Sequence, residues 1–147
     1  MVDKATLDGL LANLRQYVGE LRRLAAVPQE QFLGDADKIG NAKYHFVIAI
    51  ESSIDIANHV IASEGFRLPK DNADSFAVLV EERIIPGEWK DRLASMARFR
   101  NRLVHLYSGV REQLVYDYLQ ESLGDLEEFG KAVASRDWTQ GAQDLTQ

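Results

Sequence analysis

Apolar side chains recur at three- and four-residue steps through nearly the whole chain, and no stretch alternates apolar and polar residues as a half-buried strand would. That periodicity predicts an all-α protein. Leu7, Leu10, Leu11, Leu14, Val18, Leu21 and Leu24 form one stripe of a first helix expected from about Lys4 to Ala26, with Pro28 just past its end. A second helix, from about Ala36 to Ser63, should start at an Asp35 cap and end near Gly65, with Val47, Ile50, Ile54, Ala57 and Ile61 as its core seam. Asp71 or Asn72 should cap a short helix reaching about Arg83, and Pro86 marks the next turn. A fourth element from about Glu88 buries Leu93, Met96, Phe99, Leu103 and Leu106. The last, from about Arg111 to Ser135, carries Leu114, Val115, Tyr118, Leu119, Leu123, Leu126 and Phe129. These elements predict an antiparallel bundle of four major helices plus one short helix.

The 147 residues are of single-domain size, and no internal repeat or linker interrupts them. One domain is expected over 1–135, followed by a flexible tail at 136–147, because TQGAQDLTQ offers little apolar surface to bury. With no cysteine there is no disulfide, no thiol nucleophile and no Cys-based metal cluster. The start, MVDKATLDGLLANLRQYV, lacks the basic and short apolar blocks of a signal peptide, and the longest unbroken apolar run is Phe46 to Ile50. A soluble, cytoplasmic protein that does not enter a membrane is expected.

The net charge of −6 argues against binding nucleic acid through the overall field. Its distribution points elsewhere. Between Trp89 and Arg111 lie Lys90, Arg92, Arg98, Arg100, Arg102 and Arg111 against one acid, Asp91, a local balance of +5 that leaves −11 on the remainder.

Inside this basic island sits RNRLVHLY, residues 100 to 107. Phosphate loops, HExxH, GxSxG and dinucleotide fingerprints are all missing, so this stretch is the candidate site. A guanidinium matches phosphate in a bidentate fork and an imidazole moves protons near neutral pH, which suits work on a phosphodiester. The bland alternative pairs Arg100 with an acid of a neighbouring helix and leaves His105 and Tyr107 as ordinary surface groups. On a helical wheel Arg100 and Tyr107 share the face of Met96 and Leu103, whereas His105 lies about 140° from Arg100. The two can meet only if the helix bends or ends, or if a second subunit contributes.

On the second helix Glu51, Asp55, Asn58 and His59 fall within about a quarter of the circumference. That face is a solvated surface, a carboxylate face that positions Arg100, or a metal site through Asp55 and His59. Two ligands specify a metal only weakly, and no metal and no cofactor is expected.

RFRNRLVHLY, together with AIESSIDIANHVIASEGFRLP, resembles the HepT family, small all-α ribonuclease toxins within the wider HEPN group. The resemblance runs from about residue 3 to residue 130. It implies a metal-independent endoribonuclease acting on tRNA or mRNA as a homodimer, with both subunits facing one cleft. Arg100 and His105 match the family's catalytic pair, Asn101 its following polar residue and Tyr107 its motif tyrosine; Glu51 and Asp55 are candidate supporting residues. The resemblance also implies an MntA-type nucleotidyltransferase antitoxin that silences the toxin by adding AMP to the tyrosine. The rival from another class is a noncatalytic helical partner that binds the nucleotidyltransferase, or a nucleotide, through the same cleft. A plain structural bundle that uses Arg100 for pairing is a third.

Overall fold

Three aspartates start three of the helices by accepting hydrogen bonds from backbone N–H groups that the first turn leaves open. Asp3 caps α1 (Lys4–Ala25), Asp35 caps α3 (Ala36–Glu64) and Asp71 caps α4 (Asn72–Glu81). Between the first two lies α2 (Gln29–Leu33), and after α4 come a 3-10 turn (Gly87–Trp89), α5 (Lys90–His105), α6 (Glu112–Glu121) and α7 (Leu123–Ser135). The computed structural model describes residues 1–106 and 109–139, and among these there is no strand. The all-α expectation holds.

Helix α3 is the centre of the bundle and packs against every other α-helix. It buries Phe46, Ala49, Ile50, Ile54, Ile56, Ala57, Val60 and Ile61, which surround more of its circumference than a surface helix would commit. Its most apolar 18 residues have a mean hydropathy of 1.3, enough by length and composition to cross a bilayer, yet 56% of that window is buried inside this protein. The stripe of α1 faces it with Leu7, Leu11, Leu14, Val18, Leu21 and Leu24 all buried. Gly65 ends α3 in the left-handed region at φ 69°, where a side chain would be strained.

The structure departs from the sequence-based expectation at four places. The five-residue α2 was not anticipated; it follows Pro28 and seats Phe32, which is fully buried. The short helix ends at Glu81 rather than Arg83, because Arg83 turns the chain at φ 59°. The last helix is two helices, broken at Ser122 (φ −117°), where Ser122 and Gly124 are weak helix formers. Leu106, expected in the core, is 57% exposed, because α5 stops at His105 and the chain leaves the seam. Residues 140–147 of the expected tail lie outside the described residues, while Trp138 packs against the core and donates to the Val133 carbonyl at 3.0 Å.

Aromatic packing joins α3 to α5 and α6. The Phe46 ring meets Phe99 edge-on at 5.2 Å and Tyr118 at 6.3 Å, and Phe99 stacks on Tyr118 at 3.8 Å. Phe46→Ala should therefore destabilise the protein by about 3–5 kcal/mol in urea unfolding. A loss below about 1 kcal/mol would show that the cluster is not part of the cooperative core.

Candidate active site

Arg100 sits on the buried side of α5, one turn from Met96 and Leu103, where an unpaired guanidinium would be costly. It is paired. Its Nε and Nη2 donate to Oε1 of Glu51 on α3 at 3.1 and 2.7 Å, and its Nη1 donates to Oδ1 of Asn101 at 3.0 Å. The Arg100 side chain is 22% exposed and that of Glu51 41%, so the pair is reached by water and contributes at most about 1 kcal/mol to stability. Its effect is orientation. Three of the five guanidinium N–H groups are taken, which leaves one on each terminal nitrogen to meet an incoming oxygen anion without breaking the pair.

His105 is the last residue of α5 and is exposed. No hydrogen bond or ion pair joins it to Arg100 among the described residues, and five residues of regular helix turn it about 140° away. The helix ends at His105. Tyr107 lies outside the described residues.

The polar face of α3 divides rather than acting as one surface. Glu51 reaches Arg100, Asp55 faces solvent, and Asn58 Oδ1 accepts from Ser75 Oγ of α4 at 2.7 Å. His59 has a buried Nε2 with no partner among the described residues. The described residues contain no group of three or more His, Asp or Glu that could hold a metal ion, and the Asp55–His59 spacing gathers no third ligand. Of the alternatives for this face, the one realised at Glu51 is the carboxylate that orients Arg100. Sequence spacing did not signal the Asn101 contact, which depends on the rotamer of a neighbouring side chain.

The other side of α5 lines a groove of about 460 Å³ shared with α6 and α7. Asp91, Asp117, Glu121 and Asp125 surround it, with Arg92 bound to Asp125 at 3.1 Å, so its field repels a phosphate. Among the described residues the arginines of α5 that carry no ion pair, Arg98 and Arg102, lie on either side of Arg100 in the sequence.

Fold and site together define a class, small all-α bundles that hold the arginine of an RN-x-LVH-x-Y sequence against a carboxylate of the central helix. The matching family model, Ribonuclease HepT-like, spans residues 14–133, and the chain belongs to this HepT-like family. Over 79 residues it is 34% identical to the mRNA nuclease HepT of Shewanella oneidensis strain MR-1, a match covering 54% of this chain and 59% of that protein. The matched stretch thus spans less than two thirds of that relative.

Among solved structures, a toxin-antitoxin crystallised with AMP-PNP superposes with a TM-score of 0.82 at 23% identity, covering 88% of this chain and 98% of that one. A tri-AMPylated Shewanella oneidensis HEPN toxin in complex with MNT antitoxin also gives 0.82, at 24% identity over 88% and 97% of the two chains. YutE of Bacillus subtilis, a cytosolic protein of unknown function, gives 0.78 at 20% identity over 91% and 90%. At these identities the likeness is one of fold.

Partial burial, and after it the charge of Glu51 one turn away, push the Asp55 carboxyl above the ordinary carboxylate range. A raised carboxyl binds more protons folded than unfolded, so it lowers stability as pH rises through that range and the penalty is complete at neutral pH. Asp55→Asn should accordingly raise the unfolding midpoint at pH 7 and leave it unchanged near pH 3. A stabilisation of equal size at both pH values would contradict this origin.

Proposed function

We propose that the protein is a metal-independent endoribonuclease toxin acting as a homodimer. The observation that carries this is the disposition of α5. Arg100 is held by Glu51 with two N–H groups to spare, while His105 stands exposed at the end of the same helix in the one basic island of an acidic chain. The resemblance of 79 residues to a protein called mRNA nuclease HepT supports the same reading.

In this mechanism His105 takes the proton of an RNA 2′-hydroxyl, whose oxygen attacks the adjacent phosphorus. The P–O5′ bond breaks, the 5′-oxygen takes a proton from water while the His105 imidazolium returns its proton to solvent, and a 2′,3′-cyclic phosphate remains. Arg100 stabilises the charge that builds on the phosphoryl oxygens, and Glu51 and Asn101 keep its fork in place. Asp55, one turn from Glu51, adds negative potential on the arginine's side of α3 and is a supporting residue.

Because one helix cannot turn Arg100 and His105 onto one phosphate, the site needs the second copy. Tyr44, 58% exposed and two turns before Glu51 on α3, and Val104, 45% exposed and one turn after Arg100, are apolar surface beside the pair that a dimer would cover. The partner that silences the protein is an MntA-like nucleotidyltransferase that transfers AMP to Tyr107; the added bulk and negative charge would exclude substrate phosphate. The setting is the cytoplasm.

Purified protein should cleave RNA in the presence of EDTA, with Arg100→Ala and His105→Ala each at least about 100-fold slower. Their unfolding free energies should stay within about 1 kcal/mol of wild type. A folded dimer that cleaves no tRNA or mRNA would favour the noncatalytic helical partner, and a marked loss of stability in Arg100→Ala would favour the structural bundle. Coexpression with an adjacent nucleotidyltransferase should add mass in AMP units, and mass that persists in Tyr107→Phe would place the modification elsewhere.

A further inference from the structure

We propose that Arg98 and Arg102 bind the phosphates flanking the scissile bond and lay single-stranded RNA along the outer face of α5 toward His105; this rests on the ribonuclease reading. Arg98, Arg102 and His105 follow at steps of four and three residues, fall within about 60° of one another around the helix, and are all exposed. Arg100 looks the other way, into α3. The helix thus has an inner cation held in a fixed place and an outer pair free to meet a ligand.

The other arginines of this helix are already committed. Arg92 is taken by Asp125 and Arg100 by Glu51. Among the described residues neither Arg98 nor Arg102 has an ion pair or a side-chain hydrogen bond. The sequence explains why. Apart from each other, positions one turn away from them hold Ala94, Ser95, Phe99, Asn101, His105 and Leu106 but no acid, in a chain that carries 23 acidic residues. Two like charges one turn apart weaken a helix rather than support it. Placement near the negative end of the helix would account for Arg102 in the last turn, but not for Arg98, which lies mid-helix.

An unneutralised pair of guanidinium forks about 5–6 Å apart at the Cβ atoms suits consecutive phosphates of one strand, and nothing in it selects a base. Binding here should therefore be sequence-tolerant and strongly dependent on salt.

The test measures binding of a fluorescent single-stranded RNA oligonucleotide across a salt series in the His105→Ala protein, with and without Arg98→Gln and Arg102→Gln. Each substitution should weaken binding and reduce the slope of log K against log salt by about 0.7, and Arg98→Lys with Arg102→Lys should keep most of the slope. In the cleaving protein the Gln variants should raise KM rather than lower kcat. An unchanged slope in a double Gln variant that melts like its parent overturns the proposal. So does an unchanged slope accompanied by loss of binding to a nucleotidyltransferase partner, which would make the stripe a protein-docking surface. Absence of cleavage by wild type, with the salt slope still carried by Arg98 and Arg102, would instead sink the ribonuclease reading and leave an RNA-binding face.

Discussion

The position of every functional group depends on how α3 is buried. Its spine from Phe46 to Ile61 supplies core side chains toward all the other helices, so its rotation about its own axis is set by the whole bundle. That rotation leaves one edge at the surface, and Glu51 is on it. Through Glu51 the bundle fixes the direction of Arg100, while the Phe46, Phe99 and Tyr118 rings fix the depth at which α5 lies. A modest, water-accessible ion pair is sufficient for this purpose because packing has already done the placing.

Much of this was legible in advance for simple reasons. The caps at Asp35 and Asp71 and the stop at Gly65 are local chemistry, readable within a few residues. The breaks were not. Gln29–Leu33 is too short for a period to show, and the interruption at Ser122 falls within an apolar pattern that continues across it. Leu106 keeps the spacing of the α5 seam but lies one residue past the helix end, and spacing says nothing about where a helix without a C-terminal glycine will stop. The Arg100–Glu51 pair was legible only as one option among three, because it joins residues 49 apart in the chain and depends on the relative rotation of two helices.

The charge pattern gives the bundle its functional asymmetry. An acidic protein repels RNA over most of its surface, and its groove between α5 and α7 does the same at close range. The outer face of α5 toward its C-terminal end reverses the sign. A strand approaching there meets Arg98 and Arg102 first and His105 at the end of the helix, whereas Arg100 of the same chain lies behind, against α3. In the proposed dimer the arginine that faces a given His105 belongs to the other copy.

That arrangement is tested most directly by pairing two inactive variants. Arg100→Ala and His105→Ala subunits, unfolded together and refolded as a mixture, should recover about a quarter of wild-type ribonuclease activity, since half the dimers are mixed and each has one intact Arg–His pair drawn from two chains. A mixture that forms mixed dimers yet cleaves RNA no faster than either parent would show that Arg100 and His105 act within one chain, and would contradict a site shared between two copies.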